Sequence, residues 1–189
     1  MIERKIIYFE KAGPKNTEET LRAAKERAQL LKIKRAVIAT STGKTPLMSA
    51  EVFRDVDIEL VAVTLAAGRR KEYTAPDNER IEAFQGLGGK VMTATHLFIG
   101  NIGMAIRKQF GGLLYSELIG HTLYRFSQGV KVAVEIAVMA ADAGLVPTDE
   151  ELIAIAGTGR GADTALVLMP AYSNEFFDLN IREIIAMPR

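Results

Sequence analysis

The sequence predicts an α/β fold in which a mostly parallel sheet lies between two layers of helices, with an antiparallel strand at one edge. Three observations predict it. Short runs rich in β-branched and apolar residues recur along the chain, as in Arg35–Thr40 and Leu152–Ala156. Segments with helical spacing of apolar residues alternate with them, the pattern of a doubly wound sheet. The strands at Leu152–Ala156 and Thr164–Met169 are joined by a connection too short for a crossover helix, so they must be antiparallel neighbours, expected at one edge.

Taken in order, residues 5–9 read as a short strand and 10–15, with Gly13-Pro14, as a turn. Asn16 is expected to cap a helix, with Glu19 completing a capping box. Leu21, Ala24, Ala28 and Leu31 mark its inner face, and it should end near Lys32. Arg35–Thr40 is a buried strand, followed by a helix over 45–53 and a second buried strand over 58–64. A loop over 65–76 carries Gly68-Arg69-Arg70-Lys71. Asp77 caps a helix whose Ile81, Phe84 and Leu87 should face inward; Gly88-Gly89 stops it before a strand over 90–95. The glycine-dotted stretch 97–128 is expected to hold short helices over 101–109 and 116–126. Residues 130–143 form a nearly all-apolar helix, which predicts burial. Residues 181–187 are expected to form a last, peripheral strand.

At 189 residues the chain suits a single domain, 1–189, with an insertion around 96–125. A net charge of +1 and the lack of a basic stripe interleaved with aromatics exclude a nucleic-acid partner. The absence of Cys excludes disulfides, thiol catalysis and cysteine metal sites, and His96 and His121 have no metal-ligand spacing. The longest apolar run is broken by Lys131, Glu135 and Asp142 and is too short to span a bilayer; Met1 to Lys5 lack the apolar stretch of a signal peptide. No membrane partner and a cytoplasmic location are therefore expected.

The most informative segment is Thr40-Ser41-Thr42-Gly43-Lys44-Thr45, where a buried strand ends and a helix begins. Hydroxyls, a glycine and a helix N-terminus make an anion site, because the first backbone N–H groups of a helix are unpaired and its dipole favours negative charge. It is not a Walker A loop: the first glycine would have to stand at position 38, which is Ile. Thr42 or Thr45 capping the helix is the plainer alternative, but three hydroxyls with Gly-Lys exceed what a cap requires.

A second glycine-rich loop, Gly157-Thr158-Gly159-Arg160-Gly161-Ala162-Asp163, superficially matches a dinucleotide fingerprint, but a strand follows where a helix is needed. It follows the carboxyl end of a strand, as the first turn does, and open α/β sheets bind ligands along that edge. Lys44 and Arg160 are expected to hold a phosphorylated small molecule jointly. A flexible hairpin loop is the plainer alternative.

These residues carry a resemblance. Thr40-Ser41-Thr42-Gly43-Lys44-Thr45 is similar to the phosphate-gripping turn of the pyruvate kinase C-terminal domain, and Ile153 to Gly157 with Asp163-Thr164-Ala165-Leu166-Val167 is similar to the strands around its effector loop. The whole chain resembles a family of stand-alone archaeal and bacterial relatives of that domain, through Asn16-Thr17-Glu18-Glu19-Thr20-Leu21, Val134-Glu135-Ile136, Met139-Ala140-Ala141-Asp142, Arg160-Gly161-Ala162-Asp163-Thr164-Ala165, Asn174-x-Phe176-Phe177-Asp178 and Met187-Pro188. The resemblance implies a three-layer α/β/α domain holding flavin mononucleotide (FMN) at the carboxyl edge of the sheet. The phosphate would be held at Thr40 to Thr45, with the loop of Gly157, Thr158, Gly159, Arg160, Gly161 and Asp163 closing over the ligand. It does not imply pyruvate kinase activity, because the catalytic barrel and its metal site have no counterpart here.

Among the remaining candidates, His96 follows the strand over 90–95 and should reach the ligand edge, as a phosphate donor, an acid or base, or an inert histidine. Arg69, Arg70 and Lys71 lie in a ligand-edge loop, as phosphate ligands or as a solvated run. Lys131 and Glu135 make an i, i+4 pair, read as part of a solvated stripe that continues to Asp142, with a hydroxyl or ammonium partner for Glu135 in a pocket as the alternative. The stretch 96–125 is expected to build part of a pocket or a homo-oligomer contact. No Ser-His-Asp order or close carboxylate pair stands out, so no reaction follows from the residues; an enzyme acting on a flavin or phosphorylated metabolite through His96 or Arg160, and a regulatory or assembly module, are the alternatives to ligand binding.

Overall fold

The computed structural model describes residues 1–70 and 74–189. Seven strands form one sheet in the order β1-β7-β6-β5-β2-β3-β4. They are β1 (Ile7–Phe9), β2 (Arg35–Thr40), β3 (Glu59–Thr64), β4 (Lys90–Thr93), β5 (Leu152–Ala156), β6 (Thr164–Met169) and β7 (Asn180–Pro188). The helices are α1 (Thr17–Leu31), α2 (Lys44–Phe53), α3 (Asn78–Gly86), α4 (Ile102–Phe110), α5 (Tyr115–Leu123) and α6 (Gln128–Asp142). Pairing is parallel through β5-β2-β3-β4 and antiparallel at β5–β6 and β6–β7, with β7–β1 parallel again. The antiparallel pairings thus gather on the β1 side of the sheet, and the one reversed strand, β6, stands third from that margin. β7 is not peripheral: Ile185 and Ala186 are buried, and β1 covers its outer side.

Alternation along the central strands builds the two cores. Ala36 and Ile38 of β2 and Ala62 of β3 face α1 and α2, packing with Leu21, Ala24 and Phe53. Val37, Val61 and Val63 point the other way, toward Val130, Val134 and Ala137 of α6. With both faces covered, the central strands bury side chains on each, as parallel sheets require.

Several local expectations change. Asn16 forms no capping box; its side-chain Nδ2 donates to the Lys11 carbonyl at 2.8 Å, and a single turn of 3-10 helix, Pro14–Asn16, leads into α1 instead. Lys32 ends α1 in the left-handed conformation, φ 57°, with its N–H on the last carbonyls. Asp77 does cap α3, accepting from the Arg80 amide, and Phe84 is fully buried, but Leu87 lies past the helix end and is exposed. The stretch 96–125 folds around α4 and α5, held by the Arg107–Glu117 pair at 3.2 Å, and leaves Ile102, Phe110, Leu113 and Tyr115 exposed.

The largest revision concerns α6. Lys131 and Glu135 are not on a solvated stripe: both are buried, while Asp142, the last residue of the helix, is exposed and accepts the Ser173 amide. Gly129 lets the first turn of α6 approach β6 closely, since a Cβ there would strike the Thr164 side chain. That approach sets Lys131 and Glu135 over the carboxyl ends of the central strands.

Candidate functional site

The parallel strands end together along one edge. Thr40 of β2, Thr64 of β3 and Thr93 of β4 stand in one register row, and the Thr64 and Thr93 hydroxyls are hydrogen-bonded at 2.5 Å. Above this row lies a cleft of about 930 Å³, walled by α2, the loop after β5, the segment after β4 and α6. Its volume falls in the range of pockets for small molecules, about 300–1,000 Å³.

The first wall is the turn after β2. The Gly43 amide donates to the Thr40 hydroxyl at 2.8 Å, which closes the turn on itself. Gly43 caps α2 at φ 84°, a conformation that glycine adopts without strain. A Cβ there would also stand 3.1 Å from Arg80 Cβ and 3.2 Å from Ile81 Cδ1. The turn therefore packs directly on α3, and the Asp77 amide donates to the Thr42 carbonyl. Lys44 and Thr45 occupy the first turn of α2, where their amides have no intrahelical acceptor. Lys44 is exposed, whereas Thr45 is buried and its carbonyl accepts the Ser49 hydroxyl.

The glycine-rich loop forms the second wall. A Cβ on Gly157 would lie 2.7 Å from the Gly161 carbonyl, so the loop can fold back on its own start only with glycine there. Gly161, at φ 72°, sits against Thr17 and Pro14. Asp163 is fully buried and fastens the loop: its carboxyl accepts the Gly13 amide at 2.8 Å, the Thr158 amide at 3.2 Å and the Thr164 hydroxyl at 2.9 Å. Thr17 adds a further tie by accepting the Ala162 amide at 2.9 Å. Arg160 stays exposed at the cleft, donating to the Thr74 hydroxyl at 3.4 Å.

Of the residues singled out from sequence, Thr40, Ser41, Thr42, Lys44, Thr45, His96, Gly157, Gly159, Arg160 and Gly161 line this one cleft. Gly43, Thr158 and Asp163 stand behind its walls and shape them. Arg69 also lines it and contacts Met104 Sδ, and Arg70 donates to the Thr93 hydroxyl, so these two are not merely a solvated run. Lys71 lies outside the described residues. His121 is exposed on α5, away from the cleft.

Of the third wall, sequence reasoning placed His96 at the ligand edge but favoured a solvated stripe for Lys131 and Glu135. Glu135 accepts the Lys131 ammonium at 2.6 Å and His96 Nδ1 at 3.2 Å on one oxygen, and the Phe98 amide at 2.9 Å on the other. Burial is the largest influence on the Glu135 carboxyl and pushes its pKa up, but the hydrogen bond from His96 with the charge and hydrogen bond of Lys131 outweigh it, holding the group below its ordinary value. The ammonium also lies over the rings of Phe98 and Tyr124, at 5.6 and 5.8 Å from their centroids. His96 Nε2 is buried without a hydrogen-bond partner among the described residues. The available signal was the polar pair inside an otherwise apolar helix, which is costly to bury unless paired and so points to a partner from elsewhere in the fold.

Electrostatically the cleft favours anions. Lys44 and Arg160 have no carboxylate partner among the described residues, and the one buried carboxylate on its wall, Glu135, is already matched by Lys131. No group of side chains suited to a metal ion occurs among the described residues, and no described helix is long and apolar enough to cross a membrane. The family model described as the pyruvate kinase alpha/beta domain matches residues 18–168, from the first turn of α1 to the end region of β6. That span contains both loops of the cleft and its buried His–Glu–Lys cluster, and the chain belongs to the pyruvate kinase alpha/beta domain family.

Proposed function

We propose that the cleft binds a phosphate-bearing small molecule, and that this molecule is FMN. The observation that carries the reading is that Lys44, in the first turn of α2, and Arg160, in the glycine-rich loop, reach one cleft with no carboxylate partner among the described residues, beside the unpaired amides that open α2. A phosphate there would take charge-assisted hydrogen bonds from both side chains and backbone donors from the helix start. The remaining space is lined by Met48, Leu65, Ile99, Val132 and Ile136, which suits the apolar face of a flavin ring. The biological role that follows is ligand binding, and no chemical step is assigned.

Small molecules released by denaturing freshly purified protein test this by absorbance and mass. Recovery of FMN, or uptake of added FMN that riboflavin does not match, supports it. A blank release followed by no uptake of FMN overturns the flavin assignment, and sugar phosphates and nucleotides then test the phosphate site itself.

A second role is self-association through α4 and α5, favoured by the exposed Ile102, Phe110, Leu113 and Tyr115. Sedimentation of a strictly monomeric protein would count against it.

A further inference from the structure

Residues 97–128 hold one acidic side chain, Glu117, and it is buried against Arg107. The full charges that this stretch presents to solvent, on Arg107, Lys108 and Arg125, are therefore all positive. They accompany open apolar side chains: Ile102 and Phe110 of α4 are 79% and 80% exposed, and Tyr115 at the start of α5 is 91% exposed. Ile102, Ile106 and Phe110 recur at i, i+4 and i+8, which makes one stripe along α4. Gly103 packs on Leu114, so the chain leading into α5 covers a different face of α4 and leaves the stripe open.

The opposite charge lies on the same layer of the molecule. The 3-10 segment Ser173–Asp178 carries Glu175 and Asp178, both exposed, with Phe177 90% exposed between them and no basic residue. Neither carboxylate has a basic partner among the described residues. Phe98 lies between the two regions: a Cβ on Gly120 of α5 would stand 3.2 Å from the Phe98 Cβ, and the Phe98 ring meets the Phe176 ring edge-on at 5.6 Å. Ile119 and Leu123 of α5 and Phe176 all pack against the core that α6 builds, so both regions flank α6 on one side of the sheet.

We propose that this face is a two-fold interface between copies of this chain, in which the basic, apolar α4 and α5 of one copy cover the acidic segment Ser173–Asp178 of the other, and the reverse. Because both patches share a face, a two-fold axis between them forms both contacts together and closes them at two copies. Packing α4 on its own counterpart would instead gather like charges. Ile102, Phe110, Leu113, Tyr115 and Phe177 together expose on the order of 800 Å² per copy, what one partner contributes to a stable interface of standard size. The inference rests on the reading that the protein self-associates through α4 and α5, and adds the surface that receives them.

Sedimentation velocity of the full chain over a concentration series tests it, with two charge-reversal variants at exposed positions: Lys108→Glu with Arg125→Glu, and Glu175→Lys with Asp178→Lys. The unmodified protein should dimerise, and added salt should raise its dissociation constant. Each reversal alone makes both contacts like-charged, so each should raise that constant about tenfold or more. Mixed in equal amounts, the two variants set opposite charges at both contacts again, and a heterodimer should regain most of the affinity. Phe177→Ala, which leaves every charge in place, should weaken the dimer as well. A dimer that both reversals leave intact, one that only the Lys108 and Arg125 reversal weakens, or two weakened variants that do not associate when mixed, overturns the pairing with Ser173–Asp178 and leaves self-association through α4 and α5 standing. A strictly monomeric unmodified protein overturns both, and its co-sedimentation with phosphatidylserine vesicles would assign the face to an anionic surface instead.

Discussion

The Asp163 carboxyl accepts the Gly13 amide at 2.8 Å, joining the last loop of the cleft to the turn before α1 across 150 positions of chain. Asp163 had the credentials of a ligand residue, since it ends a glycine-rich loop at the carboxyl edge of the sheet. Full burial and three hydrogen bonds to Gly13, Thr158 and Thr164 make it the fastening of that loop instead. Asp163→Ala leaves two backbone donors and a hydroxyl without their acceptor. Unsatisfied buried groups cost about 1–3 kcal/mol each, so a loss of roughly 3 kcal/mol is expected in urea unfolding. A loss under about 0.5 kcal/mol, the range of ordinary surface substitutions, would contradict this account of the loop.

Lys44→Ala and Arg160→Ala should leave stability nearly unchanged, since both side chains are exposed and neither has a carboxylate partner among the described residues. Each should weaken FMN by about tenfold or more, because hydrogen bonds to charged groups contribute about 1.5–3 kcal/mol. Fluorescence titration at two ionic strengths checks it: the affinity of the unmodified protein should fall with added salt, and that of each variant should fall less. Unchanged affinity in the Lys44→Ala, Arg160→Ala double variant would place the ligand elsewhere.

Gly43→Ala introduces a Cβ at φ 84°, within 3.1 Å of Arg80 Cβ. Strain at a left-handed position costs on the order of 1–3 kcal/mol, and the crowding of α3 adds to it. The thermal midpoint should fall, and the affinity for FMN should fall with it, because the turn that carries Lys44 is displaced. By contrast Gly159→Ala, where none of the described residues lies near the new methyl group, carries only the conformational part of that cost. Equal effects of the two substitutions would show that packing against α3 is not what fixes the first turn.

The Glu135 carboxyl has a pKa below its ordinary value of 4.5, so the folded state binds its proton less readily than the unfolded chain does. It therefore contributes stability above the unfolded value, and that contribution is lost as pH falls through the lower folded value. Glu135→Gln should destabilise the protein at pH 7, since Lys131 is left buried without its counter-charge. The gap between the two proteins should narrow as pH falls below about 4.5, as the unmodified carboxyl is protonated. Unfolding free energies measured from pH 7 downward test the sign: a gap that widens on acidification would mean that Glu135 is not the charged centre of the cluster.

The fold was legible because its signals are local. Arg35–Thr40 is recognisable as a buried strand from six consecutive residues, and the antiparallel β5–β6 pair follows from the length of one connection. The position of β7 was not legible, because Asn180, Arg182 and Glu183 give its first half a polar face and only the pairing with β1 and β6 buries the second. The two loops of the cleft were readable from glycines and hydroxyls at strand ends. Glu135 was not, because i, i+4 spacing with Lys131 describes an exposed helical pair equally well. What decides between the two is His96, 39 positions away and brought to the same oxygen only by the packing of α6 on the sheet. The threonine row of Thr40, Thr64 and Thr93 was also present, as three strands ending in the same residue, but its meaning depends on a register that sequence does not state.

The most direct test of the central claim is a paired titration of the unmodified protein with FMN and riboflavin, which differ only in the phosphate. The account predicts saturable binding of FMN and at least a tenfold weaker response to riboflavin, on the scale of one or more charge-assisted contacts at about 1.5–3 kcal/mol each. Equal affinity for the two would contradict it, since the turn from Thr40 to Thr45 and Arg160 would then have no part in holding the ligand.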